Sequence, residues 1–399
     1  MKILAKTFLI LFGIFLFYYF LYLFRNQPAI RPGLEIAIPM VYQGSSDGLK
    51  STKIVATLDA PVTTGTNLIW CASFPCAWKS LQQDLAREPI CLEGNPESAR
   101  MLNEASDVRP AIPAEGLYTA SGRTQDGIVM RIQNDMRLKF PDKEAPKFLG
   151  VISDSVIAYS YLEANVKFSL PYNQCQNPLV FTNGNGTVAA VNSFGLPPDD
   201  ENTYFNLRKQ ARVLFYKGEG RDNLEFAIDL CSNSSPSQIV VARVSAGTNL
   251  SDTLNGLERK TDEWNQSLAE DPASLVNHKH SFGPTDVLLV PDLYWFISHR
   301  FSELETRSFF NRKLKGQSFG LAREDILFRL DKNGAELNSE AMENASAGPH
   351  HFIINQPFLI YMKKRGAQTP YFVMWVDNAE LLSPFGSKET NAVALPKAK

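Results

Sequence analysis

Apolar residues fall into two patterns along this chain. Thr7 to Phe24 is one unbroken run of Phe, Leu, Ile and Tyr with a single Gly, flanked by Lys2, Lys6 and Arg25. From Lys53 onward the apolar residues come in short runs, separated by polar stretches that contain Gly, Pro, Asn and Asp. Ile54–Leu58, Val156–Leu162, Val287–Pro291, Ile326–Leu330 and Tyr371–Trp375 are the kind of run that predicts buried strands. Ala211–Tyr216 and Leu224–Leu230 alternate and predict a hairpin, and Asn183-Gly184-Asn185-Gly186 predicts a hairpin turn. Helical patterns cover Cys76–Arg87, Asn95–Ala105, Asp126–Phe140 and Leu254–Leu268. In Asp126–Phe140, Ile128, Ile132, Met136 and Phe140 recur four apart on one face. Ser73 and Pro75 stand where an N-cap and a first-turn proline belong.

The first run, as a helix rising about 1.5 Å per residue, is about 27 Å long, close to the hydrocarbon thickness of a bilayer. A cleaved signal peptide has a shorter apolar core followed by a small-x-small site. Here the core runs directly into Arg25-Asn26-Gln27-Pro28. Residues 1–25 are therefore expected to be an uncleaved signal anchor, in preference to a cleaved signal or a buried core helix. The basic residues slightly favour a cytoplasmic N-terminus and a body on the far side of a single-pass membrane helix. Residues 26–52, with Pro28, Pro32, Pro39, Gly33, Gly44 and Gly48, read as a spacer with room for one short strand, and 53–384 as the folded domain. Residues 385–399 read as a disordered tail.

Composition adds exclusions. With 44% hydrophobic and 21% charged residues the chain is globular, and a net charge of −2 gives no basic patch for nucleic acid. There is no Gly-x-Ser-x-Gly elbow, His-Glu-x-x-His or phosphate loop, so catalysis and cofactors have no positive support. The five histidines include His278, His280, His350 and His351 in polar loops, which read as surface residues rather than metal ligands. Of the five cysteines, Cys71, Cys76 and Cys91 lie close enough in sequence for a Cys71–Cys91 or Cys76–Cys91 bridge. Buried free thiols are the simpler reading.

The C-terminal third carries a resemblance. Ile326–Leu330 is followed by Asp331-Lys332-Asn333-Gly334-Ala335-Glu336, a polar connector, Phe352-Ile353-Ile354-Asn355-Gln356-Pro357-Phe358-Leu359 and Tyr371–Trp375. This order resembles the hinge, reactive loop and closing strands of the serpins. Earlier, Val156–Leu162 with Lys167, Phe168, Pro171 and Tyr172 resembles the third strand of that family's main sheet, with Ser160 where the family has Asn. The resemblance runs in order from Lys53 to Pro384. It implies an α+β fold of large mixed β-sheets wrapped by helices.

It also implies that the loop from 335 to 351 is the functional segment, where a protease or another protein partner would dock. In an inhibitory serpin this loop is cut, and its proximal half enters the main sheet as a new central strand. The hinge residues here are Gly334, Ala335, Glu336, Leu337, Asn338 and Ser339, where the family has a run of small residues. Leu337 is bulky, and Asn338, Glu340 and Glu343 would lie beneath the covering helix. Family spacing puts the scissile bond at Gly348-Pro349, and Pro is a poor leaving-side residue for most serine proteases. The expectation is a non-inhibitory binding or structural module rather than an enzyme. A protease inhibitor with a divergent loop, and an enzyme without a recognisable motif, remain as alternatives.

The apolar run generates a direct test. The full chain should stay in the membrane fraction after carbonate or high-salt washing, and deletion of residues 1–25 should release a soluble body. A mature chain that starts after residue 25 contradicts the anchor.

Overall fold

The computed structural model describes residues 39–148, 151, 153–165, 168–196, 206–218, 224–233, 236–270, 280–283, 285–332 and 350–387. Its strands are, first, β1 (Tyr42–Ser45), β2 (Thr52–Val55), β3 (Asn67–Cys71), β4 (Leu117–Arg123), β5 (Ser155–Asn165) and β6 (Asn173–Gln174). Next come β7 (Leu179–Thr182), β8 (Val188–Val191), β9 (Ser193–Leu196), β10 (Arg212–Lys217), β11 (Glu225–Asp229) and β12 (Ser237–Arg243). The last are β13 (Val287–Pro291), β14 (Leu293–Arg300), β15 (Ser318–Leu330), β16 (His351–Ile353), β17 (Phe358–Lys364) and β18 (Phe372–Val376). Four α-helices matter here: α1 (Ser73–Ser80), α2 (Glu97–Glu104), α3 (Ile128–Lys139) and α4 (Leu250–Glu270).

A five-stranded main sheet has the order β1-β14-β15-β5-β4. It is mixed: β15 runs parallel to β5 and β1 parallel to β14, while the other neighbours are antiparallel. A seven-stranded sheet has the order β10-β11-β12-β17-β18-β3-β2, and a four-stranded sheet the order β16-β13-β9-β6. The strands β7 and β8 form a separate pair. Val156–Leu162 is thus an interior strand of a large mixed sheet, in keeping with an apolar run broken only by Ser160.

The segment 352–362 behaves differently from a single strand. Asn355-Gln356-Pro357 breaks it, because Pro357 donates no backbone hydrogen bond. Phe352 and Ile353 join the four-stranded sheet, whereas β17 joins β18 in the seven-stranded one. The folded body also starts before the expected boundary at residue 53: Tyr42–Ser45 pair with Trp295–Ser298 at the edge of the main sheet. At the other end Phe385 N donates to Ala190 O at 3.0 Å, so residues 385–387 belong to the body and not to the tail.

The main sheet has two dressed faces. On the inner face, Phe74, Trp78 and Leu81 of the α1 region pack on Val156, Ala158, Phe319 and Ala322. Residues Ser73–Trp78 are all buried, since α1 sits in the middle of the molecule. The helix passes into a π-helical turn at Leu81–Ala86 and stops at Arg87, whose φ is 59°. On the outer face, Ile128, Ile132 and Met136 of α3 meet Ile157, Tyr159 and Tyr161. The four-residue spacing seen in the sequence is what puts these three on one side. Strands β3, β17 and β18 are buried along nearly their whole length, and α4 adds Leu250 and Leu257 to the same core.

A buried polar hub closes the edge of the seven-stranded sheet. Asn67 Nδ2 donates to Thr52 Oγ1 (3.1 Å) and Asn378 Oδ1 (3.0 Å), and its Oδ1 accepts from Asp377 N (2.7 Å) and Asn378 N (2.9 Å). The Asn183–Gly186 turn docks on the same hub, with Gly184 N donating to Asp377 O at 2.8 Å. A Cβ on Gly184 would lie 2.1 Å from Asp377 Oδ2, so any larger residue must displace that carboxylate from its bonds with Gly65 N and Trp375 Nε1.

Removing the hub residue leaves two buried N–H groups without acceptors. Asn67→Ala should destabilise the protein by about 3 kcal/mol, from several lost hydrogen bonds and the desolvated donors left behind. Denaturant unfolding measures this, and a loss under about 1 kcal/mol would mean that water replaces the side chain.

Candidate functional site: the central seam and the loop beyond it

The join between β5 and β15 is the structural centre of the candidate site. Their parallel register runs from Ser155↔Ser318 to Asn165↔Arg329, with one irregularity between Phe319 and Leu321. Beyond both strands, Tyr172 N donates to Lys332 O at 2.9 Å. Among the described residues no strand stands between β5 and β15.

The predicted hinge residues Gly334, Ala335, Glu336, Leu337, Asn338 and Ser339, and the predicted bond Gly348-Pro349, lie outside the described residues. Their flanks are described, and the two ends are held in different sheets. Before the loop, Arg329 Nε donates to Asp331 Oδ2 at 2.5 Å, and Asp331 is buried. After it, His350 N donates to Asp286 Oδ1 at 2.8 Å, and Val287 N donates to His350 O at 2.9 Å. The His350 ring stands edge-on to Tyr216 with centroids 4.9 Å apart. The loop therefore leaves the main sheet at its central seam and re-enters at the edge of the four-stranded sheet.

The strand before the loop is longer than the sequence pattern suggests. The apolar run Ile326–Leu330 is only its second half, and the charged triplet Arg323-Glu324-Asp325 lies inside β15. Alternation sends Glu324 to the inner face and its two neighbours to the outer face. Asp325 accepts from Arg323 Nε and Nη2, both at 2.8 Å, and from the Tyr159 hydroxyl of β5 at 3.0 Å. That last bond crosses the seam.

Glu324 is fully buried. Its Oε1 accepts from Ser73 Oγ (2.5 Å) and Phe74 N (3.0 Å) at the start of α1, and Ser73 Oγ lies 3.0 Å from Cys71 Sγ. Ser73 is thus not an N-cap: Ala72 holds that position and the Ser73 hydroxyl goes to the carboxyl. Glu324 Oε2 and the Ser160 Oγ facing it across the seam have no hydrogen-bond partner among the described residues. Burial, opposed by the hydrogen bonds from Ser73 and Phe74, raises the Glu324 carboxyl to about 7. At the head of β14, Asp292 is likewise raised to about 7, by burial first and by the nearby Asp331 charge.

Cys71, Ser73 and Glu324 resemble a nucleophile with a proton acceptor only on paper. The three are sealed in the core, and burial drives the Cys71 thiol well above its ordinary value, away from a reactive thiolate. All five cysteines are free, the simpler reading of the sequence, and three of them, Cys71, Cys76 and Cys231, are buried, while Cys91 is exposed. His280 Nδ1 is 2.8 Å from Val213 O and His350 Nδ1 is 3.1 Å from Asp286 Oδ1, while His278 lies outside the described residues. No group of three or more His, Cys, Asp or Glu side chains among the described residues could hold a metal ion.

The Glu324 carboxyl makes a pH prediction with a definite sign. Its folded value, about 7, lies above the ordinary 4.5, so the unfolded chain loses the proton first as pH rises. Stability is full below pH 4.5 and falls through the window up to 7, by roughly 3 kcal/mol in all. Glu324→Gln keeps the acceptor and removes the charge. The stability difference between variant and wild type should therefore favour the variant by about 2–3 kcal/mol more at pH 8 than at pH 5. Urea unfolding at both pH values measures it, and a pH-independent difference rules the effect out.

No protein-family model and no curated protein matches the sequence. Among solved structures, the chain is similar to human thyroxine-binding globulin complexed with thyroxine, at 10% identity and a TM-score of 0.48, covering 78% of this chain and 92% of that one. It is similar to mouse protein-Z dependent protease inhibitor at 12% identity and a TM-score of 0.48, covering 78% and 91%. It is also similar to tengpin, a thermophilic serpin, at 10% identity and a TM-score of 0.47, covering 82% and 97%. These superpositions are loose, and the fold rests instead on strand order and on motifs found in the right places. Phe168 and Tyr172 are buried just after β5, the loop joins the main sheet to the four-stranded one, and β17 and β18 close the chain. The chain has a serpin-like fold.

Proposed function

We propose that this chain is a membrane-tethered, extracytoplasmic, serpin-like module that works by binding or by structure and not by trapping proteases. Residues 7–24 are the tether, and the 335–351 loop is a connector that presents a docking segment to a protein partner. The observation that carries this reading is the side-chain locking of the seam, because a closed seam alone is what an uncut loop leaves on either reading. Loop insertion requires β5 and β15 to part along their whole register, and here they are also cross-linked by side chains. Tyr159 of β5 is bonded to Asp325 of β15 on the outer face. Glu324 fastens the inner face of β15 to α1.

The loop sequence supports the same reading. An entering strand would bring Leu337 to the inner face, lined by Ala158, Ser160 and Ala322, and Asn338 and Glu340 to the outer face beneath the covering helix. Burying a carboxylate there without a partner is costly. The Gly348-Pro349 bond is poor bait.

Cleavage between Met342 and His351 should leave the melting temperature within a few degrees, equivalent to about 1–2 kcal/mol for a domain of this size. No detergent-resistant complex with serine or cysteine proteases should appear on a denaturing gel. A cleaved form stabilised by tens of degrees, or a covalent adduct, makes the loop a working trap and the protein an inhibitor.

A further inference from the structure

The outer face of the main sheet carries a cleft of about 420 Å³, between the Asp142–Lys147 segment and strands β1, β14, β15 and β5. The floor is aromatic, with Tyr159 and Tyr161 from β5, Tyr294 and Phe296 from β14, and Leu327 between them. Register places these side chains side by side, Phe296 against Leu327 and Tyr161 against Asp325. Because α3 covers only the β4–β5 half of this face, Tyr294 and Phe296 keep part of their surface open.

One end of the cleft is polar and rigid. Arg323 is clamped on Asp325 by two bonds of 2.8 Å, and its Nη1 donates to Lys147 O at 3.0 Å, which ties the roof to the floor. The Tyr159 hydroxyl donates to the same carboxylate. A guanidinium held in this way keeps N–H groups for a further acceptor. The charges of the lining balance, with Lys143, Lys147 and Arg323 against Asp142, Glu144 and Asp325. A net charge brought into such a site gains no compensating field and loses its hydration.

We infer that this cleft binds a small, neutral, planar aromatic molecule, its flat face on the partly open rings of Tyr294 and Phe296 and one hydrogen-bond acceptor turned to Arg323. The volume is in the range of small-molecule sites, and the apolar floor is bordered by charged side chains whose signs balance. Both β5 and β15 contribute to the floor, so the occupant bridges the seam and stabilises the closed sheet by mass action. The site is independent of the 335–351 loop and of the membrane tether.

Prodan, a neutral planar naphthalene ketone, is the probe, titrated by fluorescence into the full-length protein in detergent. It should bind at one saturable site with blue-shifted emission, at least tenfold tighter than the anionic anilinonaphthalenesulfonate. Ala145→Trp, which fills the cleft from its roof, should weaken Prodan at least tenfold. Tyr294→Ala, at a partly exposed position outside the core, should do the same and guards against misfolding of the first variant. Saturation with Prodan should slow amide exchange in β5 and β15 at least threefold. The inference is overturned by absence of saturable binding, by unchanged affinity in both variants, by equal or tighter binding of the sulfonate, or by unaltered exchange in the two strands.

Discussion

Between β5 and β15, two strands far apart in the chain lie parallel at the centre of the main sheet, and most of the molecule is arranged around that contact. A parallel pair has no turn to set its register, so packing on both faces must do it. On the inner face α1 supplies Phe74 and Trp78, and small residues at Ala158 and Ala322 let it come close. On the outer face α3 covers Ile157, Tyr159 and Tyr161. The same join fixes where the loop leaves, since β15 ends at Leu330 and Lys332 O is held by Tyr172 N just beyond it.

The seam is also where the molecule tolerates unfavourable chemistry. A fully buried carboxyl with one oxygen unpartnered among the described residues destabilises the fold at neutral pH, and Ser160 beside it is no better satisfied there. Asp292, at the head of the neighbouring strand, also has an oxygen with no partner among the described residues. Polar groups confined to a buried interface favour one closed geometry at some expense of stability. His299, paired with Glu324 in register from the other side, is held near 4 by burial, and so stays neutral beside it. The main sheet is thus uncharged along this row only when Glu324 carries its proton.

Much of the fold was legible before any coordinates. The strands around Val156–Leu162, Val287–Pro291 and Tyr371–Trp375, the Asn183–Gly186 turn, and the helices over Asn95–Ala105, Asp126–Phe140 and Leu254–Leu268 all rest on local periodicity. Boundaries were less legible. The charged triplet 323–325 hid the first half of β15, because a pattern reader takes three charges in a row for solvent. β1 falls in the segment expected to be a spacer with one short strand, and only its pairing with β14 makes it part of the main sheet. Ser73 had the look of a cap and turned out to serve Glu324. The hinge residues were legible only through the resemblance, and the candidate cleft was not legible at all.

What the sequence determined by itself is whatever depends on near neighbours: segment type, the apolar N-terminal run, the turn glycines and the order of segments that resembles a serpin. Hydrophobic spacing carries that information, since each element must bury one face or both. What only the tertiary structure decided is which strands pair and what a charged side chain meets there. Whether Glu324 is a surface charge or a core carboxyl depends on α1 and β5, which lie far away in the chain. Distance in sequence carries no signal of such contacts, because desolvation and hydrogen bonding are set by the packed neighbours and not by adjacent residues.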